Sequence, residues 1–257
     1  MTKMRYAMLV ALLAIGSVHA DVIGSDNFDD AGTYVNRTIT GGNNSANITF
    51  NIVSRANVNN AAMIDTSVAA GGNIAYNASD TLGFLGTNKT DNVFGMYRAG
   101  AAKTLVYTFN ISNYTNLNVA MDWAISGDIA DKNTSMSYSI DGAAATTVFD
   151  IGTSGANWNE TMDNGTVLDR NRRGTVLVNG VSATSLTDEF QTYNPVLDGS
   201  GSVLTLTFIM NDTVGGYGGI GLDNLVLNGT VIPEPATLGL IAAFGGGILF
   251  IRRLLQI

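Results

Sequence analysis

Two stretches near the middle of the chain constrain its fold most. In KTLVYTFNIS, Leu105, Tyr107, Phe109 and Ile111 alternate with Thr104, Val106, Thr108 and Asn110. In NLNVAMDWAIS, Leu117, Val119, Met121, Trp123 and Ile125 alternate with Asn116, Asn118, Ala120, Asp122 and Ala124. Successive side chains on a strand point to opposite faces. Alternation of this length therefore predicts half-buried strands, one face on a core and one in water. The turn-forming segment Asn113 to Asn116 lies between them, which predicts that the two strands pair antiparallel.

The same pattern continues downstream. Met136, Tyr138 and Ile140 alternate with serines and run into Asp141-Gly142, a hairpin signal because both residues tolerate positive φ. The return strand is expected over Thr146 to Ile151, with further strands at Thr175 to Val178, Val203 to Met210 and Ile220 to Leu227. Upstream, Ile48 to Val53 is the one clear strand in a polar region, and Ala61 to Lys89 predicts a long loop or a few irregular strands. The charged fraction is only 13 % and glycine reaches 30 residues, with Asn, Ser and Thr plentiful, which disfavours long helices. The expected fold class is all-β, a single antiparallel β-sandwich.

Composition excludes several function classes. The formal net charge of −8 argues against a nucleic-acid partner, because binding a phosphate backbone needs a basic surface. Arg170, Arg172 and Arg173 form a small basic cluster, expected to be a solvated loop. There is no cysteine, and the one histidine, His19, falls in a segment expected to be removed. A Ser-His-Asp triad, a thiolate nucleophile and a His- or Cys-ligated zinc site are then all excluded from the mature domain.

Both ends of the chain read as addresses. Lys3 and Arg5 precede an apolar run from Ala7 to Ile15, and Val18-His19-Ala20 fits a secretory cleavage site. Residues 1–20 are expected to be a signal peptide, with the mature chain starting at Asp21. At the other end, Pro233-Glu234-Pro235 precedes an uncharged apolar run from Ala236 to Ile251, followed by Arg252-Arg253. As a helix the run is about 24 Å long at ~1.5 Å per residue, and flanking Val231, Ile232, Leu254 and Leu255 extend it toward the thickness of a bilayer. A charge-free run has no polar face for solvent, so 236–251 is expected to be a transmembrane helix, with the arginines holding the C-terminus on the cytoplasmic side.

The order VIPEPATLGL, apolar run, Arg-Arg at the extreme C-terminus resembles the PEP-CTERM sorting signal of bacterial exported proteins. The resemblance covers residues 230–257, leaving 21–229 as the ectodomain. It implies an exosortase-type membrane processing enzyme as partner, with Pro233, Glu234, Pro235, Arg252 and Arg253 as the signal. It also implies a Gram-negative-type host, transient anchoring in the inner membrane, and delivery to the outer surface or an extracellular matrix rich in exopolysaccharide. Prolines also suit a recognition handle, since they keep the segment extended and stop a helix from propagating outward.

Three constellations in the ectodomain bear on its role. Asn-X-Ser/Thr tripeptides recur, Asn110, Asn113 and Asn228 among them, and are read as a consequence of an Asn- and Thr-rich composition. The sequences DNFDDAG near the mature start and GLDNLVL in the last strand resemble the terminal strands of secreted jelly-roll modules of the carbohydrate-binding kind. That resemblance makes the sandwich jelly-roll-like and implies that Asp29 or Asp30 meets Asp223 at a structural calcium ion, a hard cation suited to oxygen ligands. The third is a glycosidase-like carboxylate pair. Between residues 21 and 228 the only glutamates are Glu160 and Glu189, neither in a clearly alternating strand. Asp122 lies on a polar strand face, while its neighbour Trp123 falls on the inward set and is expected in the core. The expected function is a non-enzymatic cell-surface or matrix protein. The alternative is a carbohydrate-binding module for exopolysaccharide or a foreign glycan.

Overall fold

The structure is a computed structural model, and the residues it describes are 20–29, 37–41, 43–45, 48–54, 67–69, 73–75, 92–97, 103–126, 132–161, 167–186, 190–212, 219–232, 244–249 and 252–253. In chain order the strands are β1 (Ala20–Asp26), β2 (Arg37–Thr40), β3 (Asn43–Ser45), β4 (Ile48–Ser54), β5 (Ser67–Ala69), β6 (Asn73–Ala75), β7 (Asn92–Tyr97), β8 (Lys103–Asn110) and β9 (Tyr114–Ser126). They continue with β10 (Lys132–Ile140), β11 (Thr146–Thr161), β12 (Val167–Val178), β13 (Val181–Ser182), β14 (Gln191–Tyr193), β15 (Val196–Leu197), β16 (Val203–Asp212) and β17 (Gly219–Val231).

These strands form two antiparallel sheets packed as a sandwich. The first runs β14-β9-β17-β7-β4-β3, with β15 also on β9 and β1 also on β17; the second runs β13-β12-β11-β10-β16-β8-β2. The short β5–β6 pair stands by itself. Alternation decides which side chains enter the core. Leu105, Tyr107 and Phe109 of β8, the five apolar residues of β9 and Leu204, Leu206, Phe208 and Met210 of β16 are all buried. Trp123 stacks on Phe149 with ring centroids 5.0 Å apart, one aromatic from each sheet.

One expected pairing does not form. β8 and β9 lie in different sheets: β8 pairs with β16 and β2, and β9 pairs with β17, β14 and β15. The connection between them crosses the sandwich, pinned where Ile111 N–H donates to Ser202 C=O and Tyr114 N–H to Ile111 C=O, both at 2.9 Å. Alternation reports which face of a strand is buried but carries no information about its neighbour, and two strands facing one core from opposite layers read like a hairpin. The Asp-Gly hairpin does form: Asp141 has φ 50° and Gly142 φ 75°, Ala143 N–H donates to Ile140 C=O at 3.0 Å, and β10 pairs with β11.

Other boundaries move. β11 runs on to Thr161 and β12 begins at Val167, so Arg170, Arg172 and Arg173 belong to a strand and not to a loop. β1 and β2 occupy the polar region where only β4 was expected. The last strand extends from Gly219 to Val231, two residues past the division at 229. Within it Gly229 is required by close approach, because a Cβ there would lie 2.9 Å from Cδ2 of Leu117 and 3.1 Å from Cβ of Tyr114. Of the apolar tail, residues 244–249 are helical, as are 252–253, and Phe244, Ile248 and Leu249 are exposed. Among the described residues no helix is long and apolar enough to cross a membrane. Residues 1–19 and the segment Pro233-Glu234-Pro235 lie outside the described residues.

Candidate functional site

The topology gives the sandwich two distinct ends. β1 starts, β17 finishes, β8 finishes and β9 starts at the same end, with Ala20 paired to Thr230 and Tyr114 to Val231. Ile232 N–H donates to Asn113 C=O at 2.7 Å, tying the exit of the last strand to the β8–β9 turn. Ala20 and Val231 therefore lie at the same end of the first sheet.

Beside this end lies an open cleft of about 480 Å³, lined by residues 115–118 from the start of β9 and 196–200 from β15 and the loop after it. Leu117 and Leu197 give it an apolar floor, buried in the core, while Asn116, Asp198 and Ser200 are exposed. Val196 pairs with Asn118 and Leu197 with Leu117, so both walls hang from β9. The loop is held from behind: Tyr138 Oη donates to Asp198 C=O at 2.8 Å, Asn179 Nδ2 donates to Val196 C=O at 2.8 Å, and Val196 N–H donates to Asn179 Oδ1 at 3.0 Å. Asn118 is half-buried, and its Oδ1 accepts from Asn228 Nδ2 at 3.3 Å. Amides, a hydroxyl and a carboxylate over a small apolar floor suit a neutral polyhydroxylated ligand, held by hydrogen bonds and one apolar face. No aromatic ring is among the lining residues.

The carboxylates expected at a calcium ion are placed only in part. β1 lies beside β17. Asp29 is exposed, and its Oδ1 accepts from Asn92 N–H at 2.6 Å, at the start of β7. Asp223 is 3 % exposed, and its Oδ1 accepts from Asn224 N–H at 2.8 Å. Asp30 lies outside the described residues. Calcium takes six to eight oxygens, and the described residues contain no group of three or more acidic or His side chains able to hold a metal. Of the three expected ligands, Asp29 and Asp223 are in view, and each accepts from a backbone N–H.

The sequence missed the buried acid of this region, Asp26. It is 1 % exposed and pairs with Arg37 at 2.5 Å. Tyr107 Oη donates to the same Oδ2 at 2.8 Å, and Phe28 N–H donates to Oδ1 at 2.9 Å. The Arg37 guanidinium also lies over the Phe28 ring, 5.6 Å from its centroid. Asp26 stands on the first sheet, while Arg37 and Tyr107 pair with each other on the second, so the cluster staples the layers together. Burial, and then the Asp26 carboxylate, hold the Tyr107 phenol well above its ordinary pKa. The only advance signal was the spacing of one Asp and one Arg in a polar stretch, which specifies no partner.

Asp122, on the polar face of β9, accepts from Thr192 Oγ1 at 2.6 Å and from Asn224 Nδ2 at 2.9 Å. Trp123 is fully buried, as its place on the inward set predicted. Glu160 sits in β11 opposite Leu168, and Glu189 lies outside the described residues.

No protein-family model matches the chain, and neither does any curated protein. Among solved structures it is similar to TmCBM61 in complex with β-1,4-galactotriose, at 9 % identity over 74 % of this chain and 86 % of that one, with a TM-score of 0.35. It is similar to the CBM22-1 xylan-binding domain of Paenibacillus barcinonensis Xyn10C, at 10 % identity over 85 % and 100 %, TM-score 0.35. It is also similar to the enzymatically active domain of bacteriophage CBA120 tailspike protein 4, at 13 % identity over 81 % of this chain and 21 % of that one, TM-score 0.35. Superpositions this loose mix binding modules with an enzymatic domain and carry no argument about ligand or chemistry. What the chain itself displays is an all-β sandwich of two antiparallel sheets with an open cleft beside the end where β1 starts and β17 finishes.

Proposed function

We propose that this protein is an exported surface or matrix component that works by binding, is delivered through its two terminal segments, and loses both on the way. The observation that carries this reading is the pairing of Ala20 with Thr230. The sandwich begins at the expected leader junction and ends at Val231, two residues before Pro233, so leader and sorting signal are appended to a domain whose sheets close without them. A helix from 236 to 251, with Pro233, Glu234 and Pro235 before it and Arg252 and Arg253 after it, then serves as a removable membrane address read by an exosortase-type enzyme. The lack of cysteine, and of any histidine after residue 19, favours binding over catalysis. The test replaces Pro233, Glu234 and Pro235 by alanine in a host that sorts such proteins. Full-length protein should accumulate in the inner membrane, and normal surface delivery of the variant would reject the sorting reading.

A second reading gives the ligand class. The amide, carboxylate and hydroxyl lining of the cleft favours a glycan. Without a stacking ring among the lining residues, affinity per site is expected near the millimolar range, about 4 kcal/mol, so binding to a polymer would depend on many copies. Retention of the full chain on the host's exopolysaccharide, lost in Asn118→Ala and Asp198→Ala, supports it. Equal retention of the wild type and both variants counts against the cleft.

A further inference from the structure

We infer that the end of the sandwich carrying both chain termini lies against the bilayer while the tail is in place, so that the cleft beside it stays shielded until the tail is removed. This rests on the membrane-anchored reading of the tail and adds an orientation and a consequence to it.

The tether is short. Ile232 is fixed to the fold by its hydrogen bond to Asn113, and the apolar run starts at Ala236. Four peptide units span at most about 14 Å when fully extended. A sandwich of this size cannot turn over on such a leash, so the end bearing Val231 faces the lipid.

That end is also dressed for contact. Val22, Val181, Val196, Val203, Val231 and Ile232 are the large apolar side chains that stand exposed on the described sandwich. Register places all six toward this end: Val22 opposite Asn228, Val203 opposite Asn110, Val196 opposite Asn118, and Val181 just after the turn at Asn179 that bonds Val196. Exposed aliphatics gathered at one end mark a contact surface, whereas scattered ones need no explanation. Asp21 and Asp198 are exposed at the same end. Carboxylates are costly in hydrocarbon, so this surface rests at headgroup level and does not insert. The partner is therefore the bilayer surface.

The cleft shares this geometry. Thr115 pairs with Thr230, one residue from the last of β17, and Asn118 lies three residues farther along β9, about 10 Å at ~3.4 Å per residue. Its depth from the end is thus no greater than the tether. A chain molecule approaching from solution meets the bilayer first, and separation from the tail exposes the cleft.

The absence of cysteine permits a direct test. Ser200→Cys marks the cleft, and Thr40→Cys marks an exposed site toward the opposite end of the sandwich. Each full-length variant is reconstituted in phosphatidylethanolamine–phosphatidylglycerol vesicles and treated with a bulky polyethylene-glycol maleimide. A cleft that opens to solution about a tenth of the time reacts about ten-fold slower than the reference site. Inserting a Gly/Ser linker of about 20 residues after Ile232, with an r.m.s. reach of about 25 Å, should bring the two rates together. Equal rates in the unmodified tether, with protein still retained after alkaline washing, overturn the orientation and leave the anchor intact. Loss of the protein from the vesicles on washing overturns both.

Discussion

The Tyr107 hydroxyl donates to Asp26 Oδ2 at 2.8 Å, joining a carboxylate on one sheet to a phenol on the other. Arg37 approaches the same oxygen, so one acceptor holds a neutral donor and a charged one. Removing the carboxylate takes a shared acceptor from both donors in the protein interior. Asp26→Asn is expected to cost about 3–5 kcal/mol and Tyr107→Phe about 1–3 kcal/mol of unfolding free energy. The double replacement Asp26→Leu with Arg37→Met should cost less than Asp26→Asn alone, because it removes the charges together. Urea midpoints at constant m-value check this, and a double variant worse than the single would show that the cluster stabilises by more than mutual satisfaction.

Alkali should loosen the sandwich in a defined window. Burial pushes Tyr193 up to about 12 and Tyr107 well above its usual value. An unfolded tyrosine ionises near pH 10, so the stability tied to these phenols is fully present below that pH and is lost as pH rises toward the folded values. Melting temperature should fall across pH 10 to 12, and less steeply in Tyr193→Phe. An unchanged slope in that variant would assign the alkaline transition elsewhere.

Asp150 carries a smaller effect at acid pH. Its carboxyl is raised above the ordinary value by burial, so the folded state favours the protonated form. That contribution is present at low pH and is lost as pH rises through the folded pKa. Asp150→Asn should therefore raise the melting temperature at pH 7 and leave it unchanged near pH 3. A loss of stability at pH 7 would mean that the charged form makes a contact outweighing its desolvation.

Among the described residues, two buried side-chain polar atoms have no hydrogen-bond partner, Oγ1 of Thr134 and Nε1 of Trp123. Thr134→Val keeps the shape and removes the orphan hydroxyl, which should stabilise by about 1 kcal/mol, or about 2–4 °C for a domain of this size. Scanning calorimetry measures it directly. A lower melting temperature would imply that an internal water bridges the hydroxyl.

How much of this could be read from the sequence depended on the kind of information each residue carries. Leu117 to Ile125 announced their inward faces because a period of two is a local property, and Trp123 followed from the same count. Asp141-Gly142 announced its turn because positive φ restricts residue type. The partner of β8 was hidden, since β2 and β16 come from opposite sides of it in the chain and nothing in Leu105 to Ile111 names them. β1 and β2 were hidden too: Ala20 to Asp26 and Arg37 to Thr40 alternate weakly, because each is largely exposed and held by its neighbour's backbone and by the Asp26–Arg37 pair. The cleft was invisible because its walls, Thr115 to Asn118 and Val196 to Ser200, lie far apart in the chain and are joined only through tertiary pairing.

β17 has one more consequence. It is the last strand among the described residues, yet β9 flanks it on one side and β7 and β1 on the other. A chain emerging from its N-terminus holds those three strands without their common neighbour until Val231 appears. The sandwich thus acts as a gauge of its own length: truncation before Gly219 leaves half a sheet with no middle, and only a chain synthesised to the root of its tail can close.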